Sequence, residues 1–559
     1  MRQRIKHLPV YQIDPDEILL DDSNLPSFNT QQFEGRIERP ISKATFYLLG
    51  IIFFLVCLIF VGKVGQLQII NGSVLAKRSV NNSLRQIPIF AQRGLITDRN
   101  DVELVWNTPD RSYIDKTGFG HLLGYISYPT EKEMASDKLF PNELVGRDGA
   151  EKVFGQQLQG ENGIKIEEVN AAGQIESDSV LRPPKTGANL VLAIDSRIQA
   201  EMAKAIENLV DQGTFQAGAG VMMDIKTGEL LVLTSFPEYD PEVLSRGNDR
   251  TKINSYLSDG RQFFLNRAID GLYTPGSIIK PIIALGALTE GVIAPETKIL
   301  STGSISIPNP YDPKQSSVFK DWRANGWVNI REALAVSSDV YFYEVGGGYQ
   351  NQRGLGIAKI DQYARMFGLG QPTGIDFLTE EIGVIPTPEW KAKVFNGEPW
   401  RLGDTYHTAI GQYGFQVTPM QMVRAVAGVA SSGHLVTPTV LKAKPDDPPP
   451  VETIITGVNT KNYTIVREGM RMGVTAGLSR SLDFSELKIA VKTGTAELGT
   501  LKKYVNSWIT GFFPYDSPRY AFAIVMEKGS RDNLIGASVV MRQTLDWIIA
   551  NAPEYLTGK

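Results

Sequence analysis

The chain has 559 residues, 42% hydrophobic and 21% charged, which is the balance of folded protein and allows roughly three or four units of about 150 residues. Its formal net charge of −4, with no block of Lys or Arg, gives nucleic-acid binding no electrostatic support. The single cysteine, Cys57, excludes an intramolecular disulfide and a cysteine-rich zinc site, and the four histidines (His7, His121, His407, His434) lack metal-ligand spacing.

Residues 1–43 mix DPDE and DDSN with isolated Leu and Phe and show no sustained period, which predicts a largely disordered tail. Residues 44–62, ATFYLLGIIFFLVCLIFVG, are uncharged and bracketed by Lys43 and Lys63. As a helix this run is about 28 Å long, close to the roughly 30 Å hydrocarbon core of a bilayer. A cleaved signal peptide has a shorter apolar core and a small-residue cleavage site. A retained transmembrane helix is therefore expected. Basic residues on its two sides balance (Arg36, Arg39 and Lys43 before; Lys63, Lys77 and Arg78 after), so charge leaves its orientation open.

Val64 to Leu84 is weakly amphipathic and predicts a helical stalk. Short β-like runs (QIPIF, ELVW, GIKIEEV) then alternate with turn signals, and Pro183-Pro184 marks a boundary. Residues 63–185 thus form a stalk and a small β-rich module. From 186 to 559 the pattern changes. LVLAID predicts a strand, and SRIQAEMAKAIENLVDQ a helix with Ser196 as N-cap. AGAGVMMDIKTGELLVLTSFP predicts a hairpin turning at Lys226. Helical stretches fill the middle, strands return in LKIAVKTGTAE, NSWITGFFPY and RYAFAIVME, and a helix follows them. Strands at both ends with helices between predict an α+β class, an antiparallel sheet flanked by helices.

Three short patterns carry chemistry, and none is specific alone. Ser-x-x-Lys occurs at Ser277/Lys280, Ser317/Lys320 and Ser485/Lys488, and Lys-Thr-Gly at Lys116, Lys185, Lys226 and Lys492. Only Ser277 stands at a helix start followed by a long apolar helix. Pro281, lacking an N–H, is tolerated only in about the first helical turn, which places that start near Ser277. The Ser277 hydroxyl then lies at the positive end of the helix dipole, with Lys280 on the same face. Ile278, Ile279, Ile282, Ile283 and Leu285 make the helix apolar nearly all round, hence buried. A lysine anchored there loses hydration, which favours a neutral amine able to act as base. Ser317 falls in a polar loop and Ser485 ahead of a strand.

Ser337 and Asp339, in AVSSDVYFYEV, follow at the end of a helical run. The Ser337 hydroxyl suits a proton shuttle between Lys280 and a leaving amine, and Asp339 suits an acceptor for the lysine or a substrate amide. A helix cap would use the same residues. Lys492 is the one Lys-Thr-Gly copy C-terminal to Ser277. Gly494 would let a ligand strand approach closely, and Lys492 with the hydroxyls of Thr493 and Thr495 suits the grip on a carboxylate.

In this order the patterns match the set found in penicillin-binding proteins and active-serine β-lactamases. PGSIIKP (275–281), AIGQYGFQVTPMQM (409–422), KTGTAE (492–497) and AGVMMDIKTGELLVLTSFPEYDP (219–241) resemble transpeptidase-domain segments. RGLITDRND (93–101) and GRDGAE (146–151) resemble the pedestal motifs of class B penicillin-binding proteins, and the resemblance spans about residues 45–559. It implies a serine β-lactamase-like catalytic fold and a D,D-transpeptidase. Ser277 would attack stem peptides ending in D-Ala-D-Ala, the N–H groups of Ser277 and Thr495 would form the oxyanion hole, and β-lactams would acylate Ser277. It further implies a single-pass protein of the inner membrane with its catalytic domain outside, and a polytopic SEDS-type glycosyltransferase partner.

Asp339, where many relatives have Asn, leans toward the elongation type, penicillin-binding protein 2. The stretch between the pedestal motifs is shorter than elongation-type members usually carry. Some of those relatives hold zinc with cysteine and histidine; with Cys57 in the apolar segment, neither metal nor cofactor is expected here. The alternatives are a division-type transpeptidase and, with less support, a β-lactam sensor, which would be expected to have more spans. A bifunctional enzyme is disfavoured because 63–185 is short for a glycosyltransferase. A β-lactamase lacks need of a pedestal, an inactive subunit sits poorly with an intact set, and a Ser-His-Asp hydrolase lacks Gly-x-Ser-x-Gly.

Overall fold

The computed structural model describes residues 43–558 except 109, 138, 171–173, 310–311, 445 and 500. The tail read as disordered lies outside them, apart from Lys43. The chain divides into two compact units. Among the described residues the first holds 43–87 and 166–179. Here α1 (Lys43–Gly65) runs on through a π-helical turn, Gln66–Ile70, and α2 (Gly72–Ser83) follows. The segment Lys43–Ile70 is long and apolar enough to cross a membrane, with no residue of its apolar window buried against protein. Strands 84–89, 163–169 and 175–182 pair in that order into a three-stranded sheet, most of it in this unit, and the last is exposed along its length.

The second unit, 88–165 and 180–558, contains the chemistry. Its main sheet has five antiparallel strands, numbered here β1 (Ala217–Asp224), β2 (Leu230–Phe236), β3 (Ala490–Leu498), β4 (Tyr504–Phe513) and β5 (Tyr520–Ser530), in the spatial order β2-β1-β5-β4-β3. The expected hairpin is β1–β2, with Lys226 in its turn. Both faces of the sheet are covered, and side-chain alternation divides them. Phe522, Ile524 and Met526 of β5 join one core with α3 (Ser196–Asp211) and a late helix, Ala537–Asn551. Ala521, Ala523 and Val525 join a second, larger core. There the small alanines let the helix Pro419–Ala430, buried at every residue, lie close on the sheet. The α+β expectation holds, as helices on both sides of one antiparallel sheet.

One local expectation is corrected. Asp195, not Ser196, caps α3, its carboxylate accepting from Arg197 N at 3.1 Å. Ser196 is the first helical residue, and its hydroxyl donates to Asp98 at 2.6 Å. The acceptor recruiting it lies 98 residues away, beyond the reach of a local pattern.

Candidate active site

Ser277 occupies a single 3₁₀ turn, Gly276–Ile279, that leads into α4 (Lys280–Thr289). Pro281 is in the first turn of α4, where its missing N–H has no helical acceptor to serve. Residues 280–288 are all buried. The turn is held from three directions. Gly276, at φ +57°, donates its N–H to Gly411 O at 2.9 Å. Trp508 Nε1 donates to Thr274 O at 3.0 Å, and Tyr273 exchanges backbone hydrogen bonds with Val417, both 2.9 Å.

β3, an edge strand of the main sheet, supplies a further wall. A Cβ at Gly494 would stand 2.9 Å from Pro275 O and 3.0 Å from Ile278 Cγ2. The close approach that Gly494 permits is thus by the Ser277 turn itself.

Lys280 is fully buried and gathers the middle motif around it. Its Nζ donates to Asp339 Oδ1 at 2.6 Å, Ser337 O at 2.8 Å and Ser337 Oγ at 3.4 Å, and lies 5.3 Å over the Phe342 ring. Ser337 ends α5 (Ile330–Val336) in a left-handed conformation, φ 55° and ψ 39°. Ser338 caps α6 (Asp339–Gly347), accepting from Tyr341 N at 3.2 Å. Capping therefore falls to Ser338, which leaves the Ser337 and Asp339 side chains for Lys280.

Lys492 joins them from β3. Its Nζ lies 2.8 Å from Ser337 Oγ and 2.7 Å from Thr493 O. Burial, and then the nearby positive charge of Lys280, hold its pKa well below the ordinary amine value, against the opposing pull of Asp339. The sequence reading assigned desolvation to Lys280. The structure buries both amines, gives Lys280 a carboxylate partner, and gives Lys492, among the described residues, a hydroxyl and a carbonyl as hydrogen-bond partners. Along β3, Lys492, Gly494 and Ala496 are buried, while Thr493 is half-buried and Thr495 exposed. Pleating thus separates Lys492 from the two threonines with which it was grouped.

The other motif copies lie elsewhere. Ser317 and Lys320 are exposed in the strand Asp312–Lys320, half of a hairpin with Ser304–Asn309, where a loop was expected. Ser485 and Lys488 are exposed, Lys488 pairing with Asp516 at 2.9 Å. Lys185 pairs with Glu161 at 3.0 Å, and Lys116 and Lys226 are exposed. Sequence reasoning missed the supports at Gly411, Thr274 and Trp508. The visible signal for Gly411 was the resemblance of 409–422, which carried no assigned role; Thr274 and Trp508 lie outside that segment.

The family model of the penicillin binding protein transpeptidase domain matches residues 218–546, and that of the penicillin-binding protein dimerisation domain residues 107–192. The peptidoglycan D,D-transpeptidase MrdA of Acinetobacter baumannii is 32% identical over 435 residues, which cover 74% of this chain and 62% of that relative's length. The crystal structure of Pseudomonas aeruginosa PBP2 in complex with WCK 5153 superposes with a TM-score of 0.70 at 29% identity, over 85% of this chain and 98% of that one. PBP2 of Helicobacter pylori in its complex with MreC gives a TM-score of 0.70 at 27% identity, over 84% and 99%. The chain belongs to the penicillin-binding protein transpeptidase family, with peptidoglycan D,D-transpeptidases named MrdA among its relatives.

Proposed function

We propose that the protein is a membrane-anchored peptidoglycan D,D-transpeptidase of the elongation type, with Ser277 as its nucleophile. One observation carries this reading. Three distant segments bring Lys280, Ser337, Asp339 and Lys492 into a single hydrogen-bonded group, one helical turn from Ser277. The Ser277 hydroxyl attacks the penultimate carbonyl of a stem peptide ending in D-Ala-D-Ala and passes its proton to the lysine group. The tetrahedral intermediate collapses to an acyl-enzyme and expels the terminal D-Ala, whose nitrogen takes up the proton. An amine of a neighbouring peptide then attacks the ester, releases Ser277 and completes the cross-link.

The contacts support a division of roles. Lys280, at the helix start, is the immediate base, and Asp339 orients it. Lys492, favoured as a neutral amine, accepts through the Ser337 hydroxyl, which relays the proton toward the leaving nitrogen. The backbone N–H groups of Ser277 and Thr495 serve the oxyanion, each such donor being worth about 10²–10³ in rate. Thr493 and Thr495 grip the substrate carboxylate, and Gly494 keeps the Ser277 turn against the strand. β-Lactams acylate the same serine.

The proposed organisation is a cytoplasmic tail (1–43), one inner-membrane span (44–62), a stalk and pedestal (63–185), and an extracytoplasmic transpeptidase domain (186–559). A polytopic SEDS-type glycosyltransferase would deliver glycan to it. The H. pylori relative is seen with MreC, which supports a scaffold partner as well. The resemblance to MrdA favours elongation over the division-type alternative. Fluorescent penicillin tests the nucleophile. Covalent label is expected on the wild type and on Lys320→Ala and Lys488→Ala, and is lost in Ser277→Ala and Lys280→Ala. Label retained on Ser277→Ala refutes the assignment.

A further inference from the structure

Ser337 has a left-handed backbone, a region that residues bearing a Cβ enter at a cost and that glycine commonly supplies at helix ends. This conformation is what turns its carbonyl to Lys280 while its hydroxyl meets Lys492. Two consecutive residues from another loop hold the chain on either side of it. Trp322 Nε1 donates to Val336 O at 3.1 Å, immediately before Ser337. Asp321 Oδ2 accepts from Ser338 Oγ at 2.8 Å and from Val340 N at 3.1 Å, immediately after it.

The loop is fixed in its turn. Asp321 Oδ2 also accepts from Ser301 Oγ at 3.2 Å and Asn325 Nδ2 at 3.4 Å, and Oδ1 from Trp322 N at 2.8 Å. Asp321 N donates to Gly303 O at 2.9 Å and Asn325 N to Ser301 O at 3.0 Å, which ties the loop to the strand Ile299–Ser301. None of these bonds involves Ser277, Lys280 or Lys492. A carboxylate accepting several hydrogen bonds at once is a stronger brace than a neutral acceptor.

We propose that Asp321 and Trp322 are positioning residues, a clamp that holds Ser337 in its left-handed conformation between the two lysine amines. The inference rests on the relay role given above to Ser337. Without the clamp, the segment 336–340 relaxes toward ordinary helical geometry. The Ser337 carbonyl and hydroxyl then leave Lys280 and Lys492, and proton transfer slows although every catalytic group is still present. Trp322 is 50% exposed and Asp321 only partly buried, so both can be changed without opening a core cavity.

The test uses the full-length protein and the rate of acylation by fluorescent penicillin as a function of pH. Asp321→Ala and the double variant Asp321→Ala/Trp322→Phe should acylate about 10- to 100-fold more slowly, the scale expected for misplaced catalytic groups. Asp321→Asn, which keeps an acceptor oxygen, should recover part of the loss. The pH dependence should shift in the slow variants, because the lysines no longer share a fixed hydroxyl. Val318→Ala, exposed on the neighbouring hairpin, should match the wild type. Wild-type rates in the double variant overturn the clamp. So does a loss that is proportional at every pH and tracks a fall in melting temperature. Unlabelled wild-type protein would overturn both readings, whereas labelled wild type with unaltered variants overturns the clamp alone.

Discussion

Lys492 Nζ stands 2.8 Å from the Ser337 hydroxyl, so one serine lies between two buried amines contributed by a helix and an edge strand. The two amines differ in partner. Lys280 has the Asp339 carboxylate at 2.6 Å, whereas the partners of Lys492 among the described residues are a hydroxyl and a carbonyl. Burial, and then the neighbouring Lys280, favour the uncharged form of Lys492.

This has a pH signature in stability. In the unfolded chain Lys492 takes up a proton as pH falls below about 10.5, while the folded site resists it. Stability contributed by this group is therefore full above 10.5 and is lost as pH falls toward the depressed folded value. Lys492→Met removes the effect. Its melting temperature relative to the wild type should rise as pH falls from 10.5 toward neutrality. Acylation by penicillin should drop by about 10²-fold or more, the usual scale for a lost acid–base group. Paired thermal melts and labelling rates check both signs.

Gly494→Ala separates approach from chemistry. The new methyl would meet Pro275 O at 2.9 Å, Ile278 Cγ2 at 3.0 Å and Ile278 N at 3.2 Å. Two of these are backbone atoms, so the Ser277 turn must shift off β3. We expect acylation to fall about 10- to 100-fold and stability by about 1–3 kcal/mol, as for overpacking. Gly260→Ala, with nothing within 4 Å of its added methyl, should leave the labelling rate unchanged.

What was legible in the sequence was whatever local physics dictates. Pro281 fixed where the helix after Ser277 begins, and strand runs at both ends with helices between encoded a sheet flanked by helices. Residues whose meaning depends on distant partners were not legible. Arg267 is buried because Glu527, 260 residues later, meets its Nε at 2.8 Å and also accepts from Tyr273 OH at 3.1 Å. Asp321 belongs to no motif in the sequence. Nothing within a few residues of it foretells that its acceptors brace the turn at Ser337. The division of labour between Ser337 and Ser338 was likewise hidden, since either hydroxyl could have capped α6 until the left-handed φ of Ser337 decided it.

The two pedestal motifs meet in one buried charge cluster. Arg93, which opens RGLITDRND, donates to Glu151 Oε2 through NH2 at 2.6 Å and Nε at 3.0 Å, and Glu151 closes GRDGAE. Arg111 Nε donates to the other oxygen at 2.6 Å. The Glu151 side chain is fully buried and both guanidinium groups nearly so. One carboxylate thus bridges two guanidinium groups in a dry site. Removing it leaves both uncompensated, which costs about 3–5 kcal/mol for a single broken buried pair. Glu151→Ala should therefore melt far below the wild type or fail to accumulate. Glu151→Gln, which keeps one acceptor but no charge, should fall between them. Replacing all three charged residues by Met removes the desolvation problem with the charges and should recover most of the lost stability. None of the cluster's hydrogen bonds involves Ser277, Lys280, Ser337 or Lys492, so the penicillin acylation rate per folded molecule should stay within about twofold of wild type in every variant that folds. Measured melting temperatures, with labelling normalised to folded protein, would show the pedestal motifs acting through stability and not through the catalytic step.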